Sequence, residues 1–233
     1  MRSRLLWSGL LLLVALGVAM SIGRALTIVN LAAPMTEARL AAARTLFPAF
    51  AEEFPQFEQH FADSALVTLV HVIAGAMFLA LGLLQFSATF RNRHLRFHRR
   101  SGRLLVALAL FAGTTGLWLG VVAPYSSTER LPTAAAGAVF LIAPAMAIAA
   151  IRRADIARHR EWMIRFFAVG VGIVVIRLIM PVIIWLLSPV SLRDILGLAF
   201  WAGWIVSLMI AEVWIRSTRA DPTGHSSAAP IRA

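Results

Sequence analysis

The chain contains no cysteine. That excludes disulfides, thiolate metal sites, cysteine-ligated haem and protein-ligated iron–sulfur clusters. It contains no lysine either; all 22 basic residues are arginine. Carboxylates are scarce, 11 against those 22 arginines, and Glu212 is the only one inside a long apolar segment. No Ser-His-Asp grouping, His-Glu-x-x-His pair, glycine-rich phosphate loop or paired-carboxylate motif occurs, which argues against a hydrolase or a kinase. The net charge of +11 would suggest nucleic acid in a soluble chain. Here the placement of the arginines gives a simpler reason, and no nucleic-acid partner is expected.

What is present is hydrocarbon. Of the 233 residues, 60% are hydrophobic, against about 45–50% in an ordinary soluble domain. The length suits one bundle. A membrane-crossing helix needs about 20 apolar residues. Six segments supply them: Leu5–Gly23, Ala65–Phe86, Leu104–Ala123, Pro132–Ile151, Phe166–Leu187 and Leu196–Ile215. The expected fold is all-α, a polytopic membrane helical bundle with six transmembrane helices. Residues 1–29 form the first helix, 30–64 an outer connection, 65–215 a five-helix membrane core, and 216–233 a disordered cytoplasmic tail rich in Ser, Pro and Gly.

The opening stretch has the basic start and apolar run of a signal peptide. The run is long and no A-x-A-like site follows it, so it reads as an uncleaved transmembrane helix. Sixteen arginines fall on one side of the six segments and four on the other. The positive-inside rule then makes both termini cytoplasmic, and a bacterial cytoplasmic (inner) membrane is the expected location. The inner arginine clusters are expected to meet anionic lipid headgroups. Tryptophans agree with this topology, with Trp7, Trp162 and Trp214 near the inner boundary and Trp118, Trp185 and Trp201 near the outer one. Ser191 and Asp194 form an S-x-x-D capping pattern before the sixth segment.

The outer connection carries Phe47, Phe50, Phe54, Phe57 and Phe61 at steps of three and four, one face of a helix. Glu52, Glu53, Glu58 and Asp63 lie largely off that face. An acidic polar face is unlike a lipid anchor, so the segment reads as a lid on the bundle, either a structural cap or a gate. Pro55 is expected to kink or divide it.

Arg177 stands alone in FFAVGVGIVVIRLIMPVIIWLL. A charge at bilayer depth costs about 2.5–3.5 kcal/mol on insertion scales and usually faces a partner or a cavity. Pro181 removes the N–H that would bond the carbonyl of residue 177. His71 lies on the second segment, above Gly75, Phe78, Gly82 and Gln85 by the helical period. Such a face can admit a flat cofactor, a neighbouring helix or a proton-transfer role. Gly170, Val174, Arg177 and Pro181 share one face, and Gly113, Gly116 and Gly120 another. At 1.5 Å per residue Arg177 sits about one turn deeper than His71. On the arginine-rich side lie His94, His98 and His159. His94 and His98 have a helical metal-chelating spacing. His98 and His159 both begin a transmembrane segment from the same side.

The series His71, Gly75, Gly82-x-x-Gln85-Phe86, His98-Arg99-x-x-Gly102-Arg103, His159-Arg160-x-Trp162-Met163-x-Arg165 and Arg177 resembles the bacterial membrane-protein family catalogued as domain of unknown function 2306. The resemblance covers residues 65–185 or so. It implies a multi-helix membrane protein and assigns no reaction. A looser resemblance is to membrane cytochromes of the b561 type, six-helix bundles with histidine-ligated haems. Four axial histidines at matched depths are not available, which disfavours a two-haem wire. One haem b between His98 and His159, or one using His71 and His60, is what that resemblance allows.

Three readings follow. One is a haem or quinone-linked redox protein using His71, His98, His159 and Arg177. Another is a small transporter or ligand-binding bundle with His71 and Arg177 lining a polar site for an anion. The third is a non-catalytic scaffold. Oligomeric state is open.

Overall fold

The computed structural model describes residues 2–29, 37, 41, 44–45, 48–187 and 190–219. The described residues form eight α-helices and no strand. These are α1 (Arg2–Ile28), α2 (Pro48–Asp63), α3 (Ala65–Phe86), α4 (Ala88–Arg93), α5 (Leu95–Leu117), α6 (Arg130–Arg152), α7 (Ile156–Leu187) and α8 (Leu192–Ser217). Six of them, α1, α3, α5, α6, α7 and α8, are long and apolar enough to cross a membrane. Phe47 and the tail from residue 220 onward lie outside the described residues.

Helices α5, α7 and α8 extend beyond their apolar segments. The basic stretch containing His98 is the first part of α5, and the one containing His159 is the start of α7. Backbone hydrogen bonds continue where hydropathy stops, because a helix needs no apolar side chains once it reaches headgroup water. Asp155 accepts from Arg158 N at 2.9 Å and so caps the first turn of α7. The preceding turn places Ala154 at φ 59. At its far end α5 passes into a π-helical turn, Trp118–Val122.

Helix α7 is the hub, packed against α1, α3, α6 and α8. The bundle centre is a cluster of phenyl rings. Phe78 lies 5.3 Å from Phe140, 5.1 Å from Phe166 and 5.7 Å from Phe167, centroid to centroid. Glycines make the room. A Cβ on Gly82 would lie 2.0 Å from the Phe167 ring, and one on Gly170 would lie 2.3 Å from the Phe78 ring. Helix α1 joins the core through Val14 and through Gly17, which meets Val174 and Leu79.

Helix α2 lies across one end of the bundle, and Pro55 does not divide it. Phe50 and Phe57 pack on a cluster of Tyr125, Ile184, Leu192, Ile195 and Leu196. At 100° per residue, Glu53 and Glu58 flank the phenylalanine stripe about 70° to either side. Each makes one attachment. Glu53 accepts from Leu192 N at 3.2 Å and Arg193 N at 3.3 Å, capping α8. Glu58 accepts from Arg24 of α1 at 2.6 Å. Ser191 is the N-cap of α8 and accepts from Arg193 N. The turn before α6 reinforces that end, where Ser126 and Thr128 hydroxyls donate to Arg193 O at 2.6 and 2.8 Å.

Candidate functional site

Arg177 and His71 come to the same end of the bundle, beneath α2. The contact between Phe78 and Gly170 fixes the register of α3 against α7. His71 lies seven residues from Phe78 towards α2, and Arg177 seven residues from Gly170 in the same direction. The two are therefore level, about 10 Å from that contact at 1.5 Å per residue. The full turn of difference expected from segment ends is absent, because helix ends do not share one plane.

Each residue has a distinct environment. His71 is half-buried, and its Nδ1 lies 2.9 Å from Ala112 O of α5. A carbonyl only accepts, so Nδ1 carries the proton and Nε2 offers its lone pair in the neutral ring. The ring rests on Gly116, where a Cβ would lie 2.9 Å from Cε1. The Arg177 side chain is exposed, on the face of α7 shared with Gly170 and Val174. It lies within electrostatic reach of Arg24, Glu58 and His71. Among the described residues it has no ion pair or side-chain hydrogen bond.

Arg24, just beyond the apolar run of the first segment, belongs to this group. Its guanidinium pairs with Glu58 at 2.6 Å, with side chains only 11% and 13% accessible. It also lies over the rings of Phe57 and Phe61, at 5.8 and 5.1 Å from their centroids. Two guanidiniums and one carboxylate thus meet beside a neutral imidazole. Sequence spacing held no sign of Glu58, which is 34 positions from its partner.

On another face of α2 an open cavity of about 630 Å³ is lined by Gln56, Gln59, His60, Tyr125 and Arg193, among others. His60 Nε2 and Tyr125 Oη are buried there without partners among the described residues. The Arg193 guanidinium lies 4.7 Å from the Tyr125 ring centroid. Burial pushes the Tyr125 phenol up, so it stays protonated at neutral pH.

His98 and His159 come within electrostatic reach of each other at the opposite end. His159 Nδ1 lies 2.9 Å from Ala147 O, so it too donates to a neighbouring helix. His98 Nδ1 is buried without a partner among the described residues. His94 ends the short helix α4, stacked near Phe90 at 5.4 Å. Gln85 of α3 donates to Ser101 of α5 at 2.6 Å, which joins two of the motif segments. Glu212 pairs with Arg165, the longer of two bonds being 3.1 Å.

Nothing in the packing around His71 adds support to a haem there. Lower on that face Phe167 fills the space at Gly82 and Phe78 that at Gly170 of α7, while Gly75, one turn below His71, faces open space. His60 stacks on Tyr125, 5.8 Å between centroids, and not on His71. No group of three or more metal-ligating side chains is found among the described residues.

Fold and composition together define a six-span, all-helical integral membrane protein. Residues 68–215 match the family model for domain of unknown function 2306, described as a predicted membrane protein, and the chain belongs to that family. No curated protein and no solved structure matches the chain.

Proposed function

We propose that this protein binds a small anion of the carboxylate class at the membrane-embedded group formed by Arg177, Arg24 and His71. One observation carries this reading: Arg177 lies at bilayer depth within electrostatic reach of both Arg24 and Glu58, themselves an ion pair, and has no ion pair or side-chain hydrogen bond of its own among the described residues. Two cations in such surroundings repel, and a bound anion removes the imbalance. A planar carboxylate matches the guanidinium fork. The bare Nε2 of His71 then accepts from a hydroxyl or a second donor on the ligand.

The bundle is read as a ligand-binding protein or small transporter. A quinone-linked or haem b role for His71, His98, His159 and Arg177 ranks below it, because the Nδ1 atoms of His71 and His159 are engaged with backbone carbonyls of neighbouring helices and His60 stacks on Tyr125. The arginine asymmetry supports a bacterial inner membrane, both termini in the cytoplasm and anionic lipid at the arginine-rich end. A reporter fused after Arg216 tests the orientation, and a periplasmic signal there overturns it.

The ligand reading is tested by thermal unfolding of detergent-purified protein against acetate, benzoate, phosphate and sulfate. Carboxylates should stabilise the wild type, Arg177→Lys should respond weakly, and Arg177→Leu should not respond. Lack of any response in the wild type, with Arg177→Leu identical to it, overturns the reading.

A further inference from the structure

Helix α2 joins α3 through Ser64, with Thr68 Oγ1 donating to Phe61 O at 3.1 Å, and two further, chemically different attachments hold it to α8 and α1. On the α8 side Glu53 caps backbone N–H groups, and Phe50 and Phe57 pack on an apolar cluster. On the α1 side the strongest attachment is a single ion pair, Glu58 to Arg24, joined by two ring contacts to the same guanidinium. The first attachment does not respond to a bound anion. The second uses the very cation that an anion would seek, and Glu58 also lies within electrostatic reach of Arg177.

We infer that Glu58 is an internal competitor for the ligand's carboxylate, so that ligand binding displaces Glu58 and releases α2 from α1 while Glu53 keeps it attached to α8. This rests on the carboxylate-site reading given above. The chemistry is exchange of like for like. One carboxylate on Arg24 is replaced by another that reaches both Arg24 and Arg177, which a side chain fixed to α2 does not. Helix α2 then shifts away from α1 while its α8 side and its join to α3 stay in place, and the site opens or closes according to occupancy.

The test uses the full-length protein in detergent with benzoate as probe, titrated calorimetrically. Glu58→Gln keeps the shape and removes the competing charge. It should bind benzoate about tenfold more tightly than the wild type, equivalent to about 1.4 kcal/mol. Glu53→Gln loosens the same helix without freeing a cation and should leave the affinity unchanged. Because the chain has no cysteine, a Val29→Cys, Ala62→Cys pair gives clean spin labels on exposed positions. Their separation should lengthen on addition of benzoate. Tighter binding in Glu58→Gln alone supports the inference, including the case where only that variant binds. Binding that depends on Arg177 but is unchanged or weaker in Glu58→Gln overturns it and leaves the carboxylate site standing. Equal gains in Glu53→Gln and Glu58→Gln also overturn it, since mere loosening would then suffice. If neither the wild type nor Glu58→Gln binds, both readings fall.

Discussion

The two ends of the bundle treat charge in opposite ways. At the arginine-rich end, where arginines far outnumber acids, Glu161 and Glu212 are each taken up by an arginine. Arg165 forks onto Glu212, Glu161 takes Arg219 at 2.8 Å, and Arg160 donates to Thr218 at 2.6 Å. At the α2 end one acid is spent on a helix terminus, another on Arg24, and Arg177 has no described partner. Both ends lie on α7 and α8, so the difference is not one of scaffold. Paired charges lock helices together, whereas an unpaired one at bilayer depth, unlike the surplus arginines at the headgroup end, has no bulk water to face.

The comparison can be broken at several points, the largest effect first. Gly197 of α8 approaches the turn before α6 so closely that a Cβ would lie 2.3 Å from Thr128 O. That neighbour is backbone and cannot rotate away. Gly197→Ala should cost about 3 kcal/mol and lower the melting temperature in detergent sharply. A wild-type melting temperature would show that the turn is not seated on α8.

Removing Arg165 strands Glu212, whose side chain is 37% accessible. Arg165→Leu should destabilise by about 2 kcal/mol, less than for a fully buried pair. Arg177→Leu should act in the opposite direction. It removes an unmatched cation and should stabilise by about 1 kcal/mol, part of the insertion cost. Equal losses in both variants would mean that the two ends are not different after all. Glu53→Gln should cost about 1 kcal/mol through the weakened cap on α8 and speed proteolysis near α2. The smallest effect is at the turn into α7. Ala154→Gly should stabilise by about 0.5 kcal/mol, because φ 59 strains a residue with a Cβ. A measured loss there would remove the strain argument.

The sequence made the spans legible because 20 apolar residues have no other use, and the α3 boundaries, Ala65–Phe86, coincide with the expected segment. The phenylalanine stripe announced α2 by period alone. It did not announce the roles of Glu53 and Glu58, since their partners lie 139 and 34 positions away. The apolar bounds at Leu104 and Phe166 fall short of the helix starts at Leu95 and Ile156, because hydropathy ends before the hydrogen-bond ladder does, although His98 and His159 already read as beginning those spans. Arg177 and His71 stood out singly by polarity. Their level placement depends on one ring-to-glycine contact, Phe78 on Gly170, which no pattern along the chain reveals.

The cap that Glu53 places on α8 has a consequence for assembly. In translation order α2 precedes α8 by five helices, so the lid is synthesised long before the helix end it completes exists. Until α8 inserts, its carboxylate has no N–H groups to meet and its phenylalanine face lacks Leu192, Ile195 and Leu196. The lid therefore seats last, as a non-local step that follows insertion of the spans.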